Sequence, residues 1–304
     1  FNLVKNNILI IGGTGFIGYH LAKKCLSKGW NVYSVSSKQP SKKKYLKKVK
    51  YIIVDISNIK NLKKKISMSF TYVVNLGGYV DHTNKIKTYQ THYIGVKNII
   101  NIFKRNMPVK FVQMGSSSEY GIKKSPQKEN LNCTPKSMYG KSKLLSTKYL
   151  LKMYKENNFP GVVLRLYQAY GPNQDLNRFI SIIVNGCVKN EKFNCSEGKQ
   201  FRDFIHVNDV VDSILKSLKY KKTNGHIFNI GSGYPRRLKD IIHKIQKISK
   251  GGRPQFGKIK LRKDESHKIY PNIKKAKRLL GWTPKVNFEK GLRETIKFYQ
   301  NEIK

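Results

Sequence analysis

Short apolar runs alternate along this chain with longer stretches whose apolar positions recur at helical spacing. The runs at 8–11, 31–35, 51–54, 72–76, 110–114, 161–166 and 226–230 are rich in aliphatic, β-branched and aromatic residues, and several are apolar on both faces. Strands of that kind belong in a parallel sheet covered by helices on each side, since a half-wet sheet would alternate polar with apolar. Helical periodicity marks 19–28, 61–67, 88–105, 138–157 and 179–189. The alternation predicts an α/β fold built on a doubly wound parallel sheet. Pro108, Pro160 and Pro172 fall at the boundaries of these elements, where a fixed φ and a missing N–H do least harm.

After residue 167 the rhythm falters. Gly171-Pro172, Gly186, Gly198 and Gly231-Ser-Gly233 break the pattern into short pieces. The division predicted is a cofactor-binding domain over 1–167, joined by a returning segment at about 202–240, with a smaller mixed α/β substrate-binding part over 168–201 and 241–304.

The first strand runs directly into Gly12-Gly-Thr-Gly-Phe-Ile-Gly18, where a helix begins. Gly12 permits a tight turn, Gly15 admits a pyrophosphate close to the backbone, and Gly18 lets the helix lie on the sheet. Phe16 and Ile17 supply N–H groups at the helix start, where partial positive charge faces an anion. This is a Rossmann-type dinucleotide turn. A second strand that binds the ribose of NAD ends in Asp or Glu. Here it ends Ser34-Val-Ser-Ser-Lys38, so Ser36, Ser37 and Lys38 are set to receive a 2′-phosphate, and NADP is expected ahead of NAD.

Tyr139 and Lys143 lie four residues apart on a predicted helix and so share one face. An ammonium there is expected to lower the phenol pKa and make it a usable acid and base. The cluster Gly115-Ser-Ser-Ser-Glu-Tyr-Gly121 lies upstream at a strand end. A hydroxyl from it could hold the oxygen whose proton moves. The set suits carbonyl/alcohol redox chemistry.

With these three features in order, the chain resembles the extended short-chain dehydrogenase/reductases, the nucleotide-sugar epimerases, dehydratases and 4-ketoreductases. Further matches are Asp55-Ile56, Leu76-Gly77-Gly78, Arg165-Leu-Tyr-Gln-Ala-Tyr-Gly-Pro172, Gln200-Phe-Arg-Asp-Phe-Ile-His-Val-Asn-Asp209 and Lys277-Arg-Leu-Leu-Gly-Trp-Thr-Pro284. The resemblance implies that Tyr139 is the acid/base and that Lys143 binds the nicotinamide ribose. It implies that Ser116 hydrogen-bonds the sugar C4 oxygen. Asp55 and Ile56 would meet the adenine, Leu76, Gly77 and Gly78 the cofactor ribose, and Tyr167 the nicotinamide. On the substrate side stand Ser117, Ser118, Gln168, Arg178, Phe193 (stacked on the base), Arg202 on the diphosphate and Arg262 as a second phosphate arginine. Asp209 would brace a helix start, His206 and Trp282 would pack, and His92 stands where relatives carry asparagine.

Two departures narrow the reaction. The 4,6-dehydratases place Asp-Glu where this chain has Ser117 and Ser118, and serine without a partner is neither acid nor base. The cysteine that relatives use for C3/C5 epimerisation is also replaced by Ser118. A 4-reductase acting on an NDP-4-keto-6-deoxy-sugar is therefore expected, with a 4-epimerase as the alternative. A 4,6-dehydratase and a non-enzymatic, RNA-binding member of the fold stand behind both.

Charge adds one complication. Sixty-one Lys and Arg against 17 Asp and Glu give +44 and a pI near 10.1. The lysines are spread over nearly every helix and loop, and no zinc finger, Arg-rich arm or RNP-type strand accompanies them, which argues against a nucleic-acid partner. Cys25, Cys133, Cys187 and Cys195 show no ligand spacing, so no metal is expected. No apolar run approaches the roughly 20 residues a bilayer needs. A cytoplasmic protein is expected, and the resemblance implies a homodimer pairing through 88–105 and 138–157.

Overall fold

The computed structural model describes residues 5–261 and 265–303. Arg262 lies outside the described residues. The first half of the chain alternates strand and helix: β1 (Asn7–Ile11), α1 (Phe16–Ser27), β2 (Asn31–Ser36), β3 (Val49–Ile53), α2 (Ile59–Lys65), β4 (Tyr72–Asn75), α3 (Lys85–Tyr89), α4 (Gly95–Phe103), β5 (Lys110–Ser116), α5 (Met138–Asn157) and β6 (Gly161–Leu166). A single π turn, Gln90–Ile94, joins α3 to α4, so the predicted helix over 88–105 is one rod with a widened turn. It starts earlier than predicted because Asn84 caps it, accepting the Lys87 N–H at 2.9 Å. Likewise α1 opens at Phe16, immediately after the glycine turn, and α2 at Ile59 behind its cap Asn58.

Beyond β6 follow β7 (Gln168–Tyr170), α6 (Phe179–Val188), β8 (Lys192–Asn194), β9 (Phe201–His206), α7 (Val207–Lys219), β10 (Ile227–Ile230), β11 (Pro235–Arg237), α8 (Leu238–Ser249), β12 (Arg253–Gln255), β13 (Lys268–Ile269), α9 (Lys274–Leu280) and α10 (Phe288–Ile303). The main sheet is parallel throughout and ordered β10-β6-β5-β4-β1-β2-β3. This is the doubly wound Rossmann-type arrangement, with β10 added as a seventh strand. The order reverses between β1 and β4, and that reversal opens a crevice at the carboxyl ends of the strands.

Both faces of the sheet are covered, which is why its strands read as continuous apolar runs: Ile8, Leu9, Ile10 and Ile11 are at most 1% exposed. Ile8 and Ile10 point toward Leu21 and Cys25 of α1 and Val210 and Ile214 of α7. Leu9 and Ile11 point toward Ile99 and Ile100 of α4 and Leu150 of α5. A third core lies where α6, α8 and α10 pack beside β9. Asp209 clasps the chain after α9: its carboxylate accepts the N–H groups of Lys285 (2.8 Å) and Val286 (3.0 Å), and its carbonyl accepts the buried Trp282 indole N–H.

Candidate active site

Gly12 has φ +79°, and its N–H donates to the Val35 carbonyl at 2.7 Å, which closes the turn after β1. A Cβ on Gly18 would overlap the Gly12 carbonyl oxygen, so only glycine lets α1 start this close to the turn. Gly15 is exposed, and α1 begins there without any side-chain cap. An uncapped helix start on a glycine backbone at the sheet's crevice fits the pyrophosphate of a dinucleotide. Phe16 and Ile17 form the first turn. The Ser36 hydroxyl accepts from Thr14 at 2.9 Å, tying the end of β2 to the glycine turn, while Ser37 and Lys38 are exposed beyond it. On the other side of the crevice the Leu76 N–H donates to the Ile11 carbonyl at 2.9 Å, and Ile56 packs near Gly77. Asp55 is exposed and accepts the Ser57 N–H and hydroxyl, both at 2.8 Å. The chain thus offers the cradle that a dinucleotide requires.

Ser137 caps α5, accepting the Gly140 N–H at 3.1 Å, and so places Tyr139 in the first turn with Lys143 one turn on. Ser116 ends β5 beside them, its hydroxyl near enough to the Tyr139 phenol to influence its pKa. The Lys143 Nζ lies 5.9 Å from the Tyr139 ring centroid and donates to the Met114 carbonyl at 2.8 Å. Sequence and structure therefore agree on which three groups meet. They differ on the electrostatics. Burial raises the Tyr139 phenol pKa, which the neighbouring Ser116 hydroxyl and the Arg178 charge only partly offset, and burial pulls the Lys143 ammonium down to about 8. The expected lowering of the phenol is absent because desolvation dominates.

Two histidines complete the surroundings of Tyr139. His82 stacks on its ring (centroids 4.0 Å apart, planes 14°), and His92 meets it edge-on (4.9 Å, 80°). The His92 Nε2 lies 3.2 Å from the Tyr79 nitrogen and 3.1 Å from the Tyr79 oxygen, with the tautomer deciding its role. Burial lowers the His92 pKa to about 3, so the imidazole is neutral. A Cβ on Gly78 would come within 2.5 Å of His92 Cε1, so glycine at 78 and histidine at 92 fit one another. No sequence signal pointed to His82, whose loop has no periodic relation to α5.

Glu119 was missed for a different reason. Its spacing from Ser116, Ser-x-x-Glu, is a capping-box signature that the sequence displays. The fully buried carboxylate accepts the Ser116 N–H (2.9 Å), the Thr147 hydroxyl on α5 (2.9 Å) and the Arg165 Nε on β6 (2.8 Å). It joins the strand that carries Ser116 to the helix that carries Tyr139.

Next to the serines opens a cavity of about 270 Å³ lined by Ser117, Ser118, Tyr167, Gln168, Arg202 and Asp203, among others. The Tyr167 hydroxyl donates to Gln127 at 2.7 Å. Arg202 is buried, and its guanidinium is ion-paired with Glu265. A second, apolar cavity of about 320 Å³ adjoins it through Glu265 and is lined by Phe179, Ile182, Ile242, Asn194 and Cys195. Phe193 is not in that lining. Its ring turns into the third core against Gly186, because β8 points alternate residues to opposite sides. Arg178 is the exposed N-cap residue of α6, and its charge is felt by both His82 and Tyr139. Among the described residues no group of His, Cys, Asp and Glu could hold a metal ion, and no helix is long and apolar enough to cross a membrane.

Residues 8–231 match the sequence profile of the NAD dependent epimerase/dehydratase family. The chain is 30% identical to a protein of Methanocaldococcus jannaschii provisionally assigned as a UDP-glucose 4-epimerase, over 97% of this chain and 98% of that one. It is 24% identical to UDP-glucuronic acid decarboxylase 4 of Arabidopsis thaliana, over 97% of this chain and 69% of that one. Among solved structures, the UDP-glucose 4-epimerase of Thermotoga maritima with UDP-glucose superposes with a TM-score of 0.92 at 24% identity, covering 98% of this chain and 100% of that one. Pal from Bacillus thuringiensis superposes with a TM-score of 0.89 at 26% identity, covering 97% and 99%.

Proposed function

We infer the reaction from one premise: this chain belongs to the NAD dependent epimerase/dehydratase family. It is an NAD-dependent enzyme of the nucleotide-sugar epimerase/dehydratase kind. Our proposal is that it carries out reversible oxidation and reduction at C4 of a nucleotide-diphosphate sugar, and that the net reaction is 4-epimerisation. One observation carries the proposal: Ser116 at the end of β5 comes beside Tyr139 at the head of the dinucleotide crevice, with Lys143 one turn further along α5. The neighbouring Ser117 and Ser118 offer no second acid or base, which leaves a reaction that needs a single proton carrier.

NAD(P), when bound, supplies the hydride acceptor and donor. Tyr139 takes the proton of the C4 hydroxyl and later returns it. Ser116 holds the C4 oxygen in line with the phenol. Lys143, held by the Met114 carbonyl, binds ribose hydroxyls of the cofactor and places positive charge beneath the tyrosine. The glycine turn and the start of α1 take the pyrophosphate. Arg202 meets the substrate diphosphate, and the apolar cavity over α6 and α8 receives the base.

A second reading, reduction of an NDP-4-keto-6-deoxy-sugar with NADPH, draws on the missing carboxylate at the end of β2, where Ser36, Ser37 and Lys38 stand. The two readings separate in one assay. The purified protein is incubated with UDP-glucose and UDP-galactose without added cofactor, and separately with NADPH and an NDP-4-keto-6-deoxy-sugar. Interconversion of the first pair by tightly held NAD supports the epimerase, and NADPH consumption the reductase. Tyr139→Phe is expected to lower either turnover by roughly a thousandfold or more while leaving nucleotide binding intact. Wild-type rates in that variant would defeat both.

A further inference from the structure

Arg202 lines the polar cavity beside the serines with both of its terminal nitrogens already engaged. Nη2 is ion-paired with the Glu265 carboxylate, and Nη1 donates to the Phe201 carbonyl at 2.9 Å and reaches the His267 carbonyl at 3.4 Å. The Arg202 side chain is 10% exposed, whereas the Glu265 side chain keeps about a third of its surface open to solvent. Glu265 is also shared by the linings of both cavities, the polar one beside the serines and the apolar one over α6 and α8. The backbone after Glu265 is fixed: the His267 carbonyl accepts the Phe201 N–H at 2.8 Å, and β13 continues in parallel register along β9.

We propose that Glu265 sets the affinity of this cleft for the substrate's phosphate by competing with it for Arg202. The inference rests on the assignment of Arg202 to the diphosphate. An arginine buried without a counter-ion is costly, and Glu265 offsets that cost. A diphosphate brings a second anion to the same fork, and two anions on one guanidinium repel. The carboxylate therefore has to leave Nη2 as the diphosphate arrives. It can do so by rotating its own side chain, since one side faces solvent while the arginine stays held by two carbonyls. The carboxylate is thus an internal counter-ion that weakens binding, and the cleft favours ligands with enough negative charge at this point to displace it. UDP should therefore gain less over uridine here than in a site with an unpaired arginine.

The experiment is calorimetric titration of the full chain with UDP, GDP, CDP and ADP, and with inorganic pyrophosphate as a base-free probe. Wild type, Glu265→Gln and Arg202→Gln are compared. Glu265→Gln keeps the shape and a hydrogen-bond acceptor but loses the charge. It is expected to bind the preferred diphosphate about tenfold more tightly, a difference of about 1.4 kcal/mol. Because the counter-ion also stabilises the buried arginine, the same variant should melt at a lower temperature without ligand and show a larger ligand-induced rise. Unchanged or weaker binding by Glu265→Gln, with binding in wild type that Arg202→Gln abolishes, overturns the inference and leaves the phosphate assignment standing. Binding that survives Arg202→Gln unaltered overturns the assignment, and the inference with it.

Discussion

Carboxylates do unequal work at this site, and each has a measurable signature. Burial raises the Asp203 pKa from 3.8 to about 6, although Ser232 donates to it from its N–H (2.7 Å) and its hydroxyl (2.8 Å). A carboxyl that holds its proton more tightly when folded stabilises the fold fully below its unfolded pKa and loses that contribution as pH rises through the folded value. The window runs from about 4 to 6, and the loss is on the order of 2–3 kcal/mol. Asp203→Asn should therefore flatten the fall in stability between pH 4 and 6 relative to wild type, as read by urea denaturation at each pH. Glu119 acts as a buried counter-ion. Its removal as Glu119→Gln strips the counter-ion from Arg165, 2% exposed and stacked 4.6 Å above the Tyr120 ring. A loss of about 3–5 kcal/mol is expected in the same measurement; a loss under about 1 kcal/mol would mean that the pair is not structurally coupled. At this scale Ser116, Tyr139 and Lys143 were legible because helical spacing brings 139 and 143 onto one face. Glu119 was visible in its spacing from Ser116. His82 was not, since a ring stacked across from a loop leaves no trace in periodicity.

Among the elements, the glycine turn and α1 allow a sharp contrast. Gly18→Ala should prevent α1 from seating on the turn and abolish NAD binding, because the obstacle is the Gly12 backbone carbonyl, which cannot step aside. Gly29, at φ +74° with nothing within 4 Å of a Cβ, should accept alanine at a cost of about 1–2 kcal/mol from backbone conformation alone, with NAD binding intact. Isothermal titration with NAD and a thermal melt of each variant decide the matter. Element identity was readable from the chain, as were both ends of α5, while other element ends were set by caps such as Asn58 and Asn84 that a hydrophobic pattern does not register. The facing of a three-residue strand was likewise beyond reach. In β8 a single step decides whether Phe193 or its neighbours line the cavity, and packing against Gly186 makes that choice.

For the whole molecule, the excess of 44 positive charges must raise the electrostatic cost of compaction. Raising ionic strength from about 0.01 to 0.15 M shortens the screening length from about 30 to 8 Å. The midpoint of thermal unfolding is expected to rise by several degrees across that range, and a fall would show that attractive pairs dominate. The same field should speed the arrival of an anionic ligand at low salt. The doubly wound parallel sheet was legible from alternation and the glycine turn together, because parallel crossovers leave few arrangements open. The owner of the charge was not, since lysines spread over every face carry no address.

The buried link through Glu119 has one more consequence. Ser116, Tyr139, Lys143, Thr147 and Arg165 all come from β5, α5 and β6, and the acid that ties Ser116, Thr147 and Arg165 together comes from the same stretch. The apolar cavity is lined by residues after 166, while the polar cavity beside the serines draws on both passages. On the proposed reading, proton handling and the seat of the base are thus written in separate passages of the chain. A graft that replaces the later passage could redirect the protein to another nucleotide while its chemistry travels unchanged.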